Sequence, residues 1–192
     1  MMNVITPETI ALVKPLAFVD LETTGSIIGL DRIVEVGVVK VLPDGSEETF
    51  QARVNPEMGI TTEATRKHGI SDNDVLKSPK FAEIVQDLES FLEGCDLAGF
   101  NLLSFDLPML SAEFRRVGCH FEVKGRETID AYSIYVQKEP RDLGAAYRLY
   151  CDQDFYSAHS ASADARACWD VLRGQLKMYS DLPRTVRGIY QF

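Results

Sequence analysis

Four cysteines, one tryptophan and three histidines are all that 192 residues supply of these scarcer side chains. Cys95, Cys119, Cys151 and Cys168 lie far apart and form no C-x-x-C pair, so their spacing points to neither a zinc site nor a redox motif. Reduced thiols are expected. A run of about 18 apolar residues is missing, which leaves no transmembrane helix to predict. Met1 to Lys14 has neither the basic flank and long apolar stretch nor the small-residue cleavage site of a secretory signal. The expectation is a cytoplasmic protein with no membrane partner. Positive charge is also short, with 20 Lys and Arg against 29 Asp and Glu for a net charge of −9. Such a molecule repels polyanions as a whole, which does not fit histone-like or sliding binding. A nucleic-acid substrate would need a local positive site such as bound metal ions.

Thirteen Gly and eight Pro are too few for a collagenous or low-complexity chain, and no repeat or linker interrupts the sequence. What is present is 45% apolar and 26% charged residues, the make-up of an ordinary folded domain. The length fits one domain over 1–192, with an N-terminal extension (1–14) and a C-terminal tail (183–192).

Leu16 to Leu21 is an apolar run holding a single Asp, and it predicts a buried strand that stops at Thr23-Thr24-Gly25. Arg32 to Val41 and Thr49 to Val54 flank Pro43-Asp44-Gly45 and predict a hairpin. Thr61 or Thr62 caps a short helix that Gly69 ends, and Ser71 starts a second capped turn. Ser78-Pro79 opens a helix whose Phe81, Ile84, Val85, Leu88, Phe91 and Leu92 share one face. Leu97 to Phe100 then reads as a strand, Phe105 to Val117 as a helix and Thr128-Ile129 as a last strand. Leu143 to Tyr150 and Ala163 to Met178 carry helical patterns, and beyond Pro183 no period is visible. The fold class is α/β, a single mixed sheet flanked by helices.

Polar exceptions in this pattern are the candidates for chemistry. Asp20 and Glu22 stand two apart at the end of a strand that otherwise reads as buried, so they face the same side. Two carboxylates there need protonation, basic partners or a divalent cation, although a lone Asp-x-Glu also reads as capping. Asp106 follows the Leu97 to Phe100 strand, where an acid also suits a helix start. His159 and Asp164 are five apart, about 140° around a regular helix, so both reach one place only if His159 precedes the helix. Ser160 or Ser162 would cap that helix.

The ordered set Phe18-Val19-Asp20-Leu21-Glu22-Thr23-Thr24-Gly25, Asn101 through Phe105-Asp106, and His159-Ser160-Ala161-Ser162-Ala163-Asp164 closely resembles the three motifs of the DnaQ-like DEDDh family of 3′–5′ exonucleases. Glu63 to Ile70 and Arg32 to Gly37 look like intervening family features, so the resemblance covers roughly 16–180. One departure stands out. Many members place two residues between the Asn and the Phe-Asp, whereas Leu102 to Ser104 make three here. That spacing, with Leu107-Pro108 after it, is similar to animal three-prime repair exonucleases and stand-alone bacterial relatives. The bacterial members, the stand-alone enzymes and the proofreading type of DNA polymerase III epsilon, are the nearest match.

The resemblance implies a ribonuclease H-like fold, a five-stranded mixed sheet with its first three strands antiparallel. It further implies two divalent ions, Mg²⁺ or Mn²⁺, held by Asp20, Glu22, Asp106 and Asp164, the oxygen-only set that hard cations take. Asp20 would bridge both ions, Glu22 and Asp164 would complete the water-activating site, and Asp106 would hold the second ion. His159 would be the general base, since its ordinary pKa near 6.5 suits proton acceptance at neutral pH. Thr23, Thr24, His68 and Asn101 resemble substrate-binding positions. Phe105 can stack on a base, or else it anchors the helix in the core. Arg115-Arg116 and Lys124 to Arg126 read as solvated faces.

The implied activity is removal of nucleotides from the 3′ end of nucleic acid, with single-stranded DNA ahead of RNA as partner and a polymerase as a further one. DNA repair and proofreading are the roles that go with it. The alternatives are an exoribonuclease, or a non-catalytic binding module that keeps the fold. The module reading predicts loss of a site acid or of the base, and all five are in the sequence.

Overall fold

A computed structural model describes residues 10–155 and 160–192 of the chain. The described residues fall into two compact units, Met1–Ser133 and Ile134–Phe192.

The first unit is built on strands β1 (Leu16–Thr23), β2 (Ile33–Val41) and β3 (Glu47–Arg53), then helices α1 (Thr62–His68), α2 (Asp72–Val75) and α3 (Phe81–Leu92). Strand β4 (Asp96–Gly99), helix α4 (Asp106–Arg116) and strand β5 (Thr128–Asp130) follow, and helix α5 (Ala131–Lys138) runs across the boundary. The sheet order is β3-β2-β1-β4-β5. β1 pairs antiparallel with β2 and β2 with β3, while β4 and β5 run parallel to β1. This is the expected five-stranded mixed sheet.

Alternation along β1 explains how the sheet is covered. Ala17, Val19 and Leu21 are buried, and Phe18 and Asp20 are exposed, which is the two-residue period of a strand with one face in the core. The covered face receives Phe81, Val85, Leu88 and Leu92 of α3 and Leu107, Leu110 and Phe114 of α4. Phe81 and Phe121 both meet the ring of Phe114, at centroid distances of 5.5 and 5.0 Å. The three-and-four spacing predicted for α3 is therefore its core stripe, although its cap is Lys80, two residues beyond Ser78. Thr61 caps α1 by accepting from the Ala64 N–H, and Gly69 closes it in the left-handed conformation, the usual C-terminal stop.

The second unit holds helices α6 (Leu143–Cys151), α7 (Ala161–Met178) and α8 (Val186–Tyr190), the last inside a tail that shows no period in sequence. α6 packs on α7 at Gly174, where a Cβ would lie 2.4 Å from the Tyr150 carbonyl oxygen, so only glycine permits this approach. The Tyr150 and Tyr179 hydroxyls meet at 3.1 Å. Among the described residues no helix is long and apolar enough to cross a membrane. All four cysteines are free thiols.

Candidate active site

Asp20 and Glu22 lie on the same face of β1, as their spacing requires. Across the antiparallel register Asp20 faces Gly37, which brings no side chain against it, and Glu22 faces Glu35. The Glu35 charge is drawn outward by Arg53 on β3, 3.3 Å away. Glu22 has its pKa raised by partial burial, with Asp20 adding and His68 opposing.

Asp106 is brought to the same strand end by the β4–α4 connection. β4 pairs with β1 only as far as Phe18–Ala98, so Leu21 lies beyond the paired stretch. Its backbone N–H donates to the Asp106 carboxylate, as does the N–H of Asp106 itself. Asp106 is 4% exposed. Burial first, and the Asp20 charge second, push its pKa from the ordinary 3.8 up to about 7, against those two hydrogen bonds. Three acids thus share one electrostatic neighbourhood.

The threonines after Glu22 are fixed rather than loose. Thr24 is fully buried and its hydroxyl donates to Asp31 at 2.9 Å. Asp31 also accepts from the Ile27 N–H, at 2.7 Å. A Cβ on Gly25 would come within 2.6 Å of the same carboxylate, which is why glycine follows the two threonines. Thr23 closes its own turn by donating to the Gly25 carbonyl at 2.6 Å.

His68 has both ring nitrogens engaged by backbone. Nδ1 accepts from the Ile70 N–H at 3.0 Å, so Nε2 carries the proton and donates to the Thr23 carbonyl at 3.2 Å. It therefore acts on the end of β1. Asn101 takes a left-handed backbone at φ 63°, an unusual state that asparagine tolerates. Phe105 is the half-buried cap residue of α4 and packs against the core.

Asp164 sits in the first turn of α7, and Ser160 is the cap position of that helix, its carbonyl accepting from the Asp164 N–H. Asp164 Oδ1 is buried and without a hydrogen-bond partner among the described residues. His159 lies outside the described residues.

The donor set suits a hard cation. In the first unit Asp20, Glu22 and Asp106 offer only oxygen, and among the described residues none of them is ion-paired with Lys or Arg. The orphaned oxygen of Asp164 is an acceptor left over for such a ligand. Among the described residues, no three His, Cys, Asp or Glu side chains gather around one point. The pairwise couplings of Asp20 with Glu22 and Asp106 are what the first unit provides.

Three buried acids around this site are not singled out by the sequence pattern: Asp31, Glu113 and Asp130. Glu113 is fully buried on α4 and pairs with Arg32 at 2.8 Å and with Arg116. Arg116 donates onward to the Gly29 and Asp31 carbonyls, which ties α4 to the β1–β2 loop. An acid on an otherwise apolar helix stripe was the available signal for Glu113.

The chain belongs to the RNase T exonuclease family, whose model matches residues 17–172. Among individual relatives, the DNA polymerase III subunit epsilon of Treponema pallidum is 29% identical over 157 residues, covering 79% of this chain and 72% of the relative. The 3′–5′ exonuclease DinG of Staphylococcus saprophyticus is 24% identical over 91% of this chain but only 19% of its own length. Among solved structures, E. coli Exonuclease I in complex with a dT13 oligonucleotide aligns with a TM-score of 0.58 at 16% identity, over 88% of this chain and 43% of that one. The Exonuclease I of Methylocaldum szegediense gives the same TM-score at 19% identity, over 87% and 41%. These structural likenesses are of fold, and with the sheet order they bear out the ribonuclease H-like architecture. This chain spans well under half of the Exonuclease I chains it matches.

Proposed function

We propose that this chain is a metal-dependent 3′–5′ exonuclease of the DEDDh type that removes nucleotides from single-stranded DNA. The observation that carries the reading is the coupling of Asp20 with Glu22 and with Asp106 at the end of β1, where burial and the Asp20 charge together raise the Asp106 pKa. Uncompensated acids of this kind are functional-site candidates on physical grounds. DNA is favoured over RNA because one relative is a DNA polymerase III subunit and the Exonuclease I structure holds a dT oligonucleotide. The epsilon relative also supports a polymerase partner and a proofreading or repair role.

Asp20, Glu22, Asp106 and Asp164 would hold two Mg²⁺ or Mn²⁺ ions, which when bound supply charge stabilisation and a more acidic water. His159 would take a proton from the attacking water as its oxygen bonds to phosphorus; the bond from phosphorus to the 3′ oxygen of the remaining strand breaks, that oxygen takes a proton from solvent to become a 3′ hydroxyl, and a nucleoside 5′-monophosphate is released. Thr23 presents backbone groups to the terminal nucleotide, in a turn that Asp31 holds rigid. The expected Thr24 backbone donor is instead committed within the protein, its N–H to the Arg32 carbonyl and its carbonyl to the Thr61 N–H, so Thr24 shapes the turn and does not meet the nucleotide. His68 supports that turn through the Thr23 carbonyl. Asn101 and Phe105 lie on the connection that delivers Asp106 and would meet the substrate there.

The test is cleavage of matched 5′-labelled single-stranded DNA and RNA in Mg²⁺ or Mn²⁺, with chelator and Asp20→Ala controls. A ladder that shortens from the 3′ end, faster on DNA and absent with chelator or in the variant, is the expected result. Cleavage that survives chelator or Asp20→Ala would sink the proposal.

A further inference from the structure

Asp130 is 7% exposed at the C-terminal end of β5, opposite Gly99 in the last pair of the parallel register. Gly99 is where the chain leaves β4, and a Cβ there would sit 2.9 Å from the Val19 carbonyl of β1. The chain must then turn within six residues, Phe100 to Phe105, to place Asp106 at the head of α4. Asp130 reaches across to that turn. Its Oδ1 accepts from the Asn101 N–H at 2.9 Å and from the Tyr132 N–H at 3.0 Å, and its Oδ2 accepts from the Leu103 N–H at 3.2 Å.

Between these anchored amides, Leu102 is fully buried. Its carbonyl accepts from the Leu107 N–H, and the Asn101 carbonyl accepts from the Ser104 and Phe105 N–H groups. Pinned at Asn101 and Leu103, the turn has little freedom, and the left-handed φ of 63° at Asn101 is held by the bond on its own N–H. Both anchored amides fall in the connection that runs from β4 to α4. Such a connection loses conformational freedom when it is ordered, and a buried carboxylate with three donors offsets that cost.

We infer that Asp130 is a positioning residue for the exonuclease reaction: it fixes the Asn101–Leu103 turn and thereby sets where Phe105 and the Asp106 carboxylate stand against β1. This rests on the exonuclease reading above. Three N–H donors occupy the Asp130 oxygens, so it acts through the turn and does not itself hold a metal. It also lies within electrostatic reach of Asp106, which binds its charge to the same site.

The test is Asp130→Asn, an isostere that keeps the volume of a buried side chain. Its single oxygen can serve Asn101 and Tyr132, but its NH₂ then faces the Leu103 N–H, donor against donor. Amide hydrogen exchange read residue by residue should show at least tenfold faster exchange at Leu103, with the β1–β2 amides unchanged. On a 5′-labelled single-stranded DNA, kcat should fall about 10- to 100-fold, the usual loss when a supporting partner of a site ligand is removed. KM should be kept, and the thermal stabilisation by Mn²⁺ should be weakened but not abolished.

Unchanged Leu103 exchange, or an unchanged kcat, would overturn the inference. So would faster exchange spread evenly over the sheet, which marks a merely structural acid. Loss of Mn²⁺ stabilisation as complete as in Asp106→Asn would make Asp130 a ligand and overturn it too. A wild type that cleaves nothing would instead sink the exonuclease reading, and with it the catalytic half of this inference. The exchange pattern would still decide whether Asp130 fixes the turn.

Discussion

The two units hold their acidic side chains by different physics. Met1–Ser133 has a continuous apolar core, and its polar loops are latched by buried acids: Asp31 under the threonine turn, Glu113 between two arginines, Asp130 under the Asn101 turn. Among the described residues, Ile134–Phe192 buries Ala167 and Val171 within α7, and Asp170 forms exposed ion pairs with Arg166 and Arg173 along that helix. Each of these three latching carboxylates is held by two or more partners, while Asp164 in the second unit sits in one helix turn with an unpartnered oxygen among the described residues. The difference teaches that the latching acids owe their positions to a core, and Asp164 to a single amphipathic helix.

Removing a latch should therefore cost far more than removing a surface pair. Glu113→Ala leaves the Arg32 and Arg116 guanidinium groups without their shared partner beside a fully buried site. The expected loss is about 3–5 kcal/mol of unfolding free energy, the usual penalty for breaking a buried pair from one side. Asp170→Ala on α7, which removes exposed pairs to Arg166 and Arg173, should cost only about 0.2–0.5 kcal/mol. Urea unfolding of both variants checks this. Equal losses would erase the contrast between the units.

The second way to probe the comparison is pH. The Asp106 pKa in the folded chain, about 7, lies above its ordinary 3.8. The native state therefore binds this proton more tightly than the unfolded state does. Its stabilising contribution is present at low pH and is lost as pH rises from about 4 through 7. For this group the slope is at most ~1.4 kcal/mol per pH unit across that interval. Metal-free Asp106→Asn should lose this component and be more stable than wild type at pH 8, measured by thermal unfolding in chelator. A metal-free wild type that gains as much stability as the variant between pH 5 and 8 would contradict the buried-acid assignment.

How much of this was legible in the sequence follows the same division. The strand end carrying Asp20 and Glu22, the threonine turn and the core stripe of α3 are local patterns, and a two- or three-and-four-residue period reports them directly. Asp106 was readable as an acid after a strand. Its burial was not, because the N–H of Leu21 that receives it becomes free only where β4 stops pairing with β1. His68 was legible as a site residue, but its support of the Thr23 carbonyl depends on contact across 45 residues. Asp31, Glu113 and Asp130 escaped because each partners groups distant in sequence, and in the one-dimensional pattern each is one more acid among 29. Helix α5 escaped because none of its residues is buried, so it lacks an apolar stripe to detect.

The smallest effect sharpens the comparison most, because the same device occurs in each unit. Thr61 caps α1 by accepting from the Ala64 N–H at 3.2 Å, and Asp142 caps α6 by accepting from the Ala145 N–H at 2.8 Å. Replacing either by Ala should cost about 1 kcal/mol locally. Their consequences should nevertheless differ. At its other end α1 carries His68, whose ring holds the Thr23 carbonyl at the end of the strand bearing Glu22, so fraying of α1 loosens that contact. α6 ends at Cys151 and packs on α7. Thr61→Ala should therefore speed amide exchange at α1 and Ile70, whose N–H bonds the His68 ring, and slow cleavage about two- to fivefold through a ~1 kcal/mol shift in the populated geometry. Asp142→Ala should speed exchange in α6 and leave Ile70 untouched. Faster Ile70 exchange in Asp142→Ala, or none in Thr61→Ala, would show that the site end of β1 is not braced through α1.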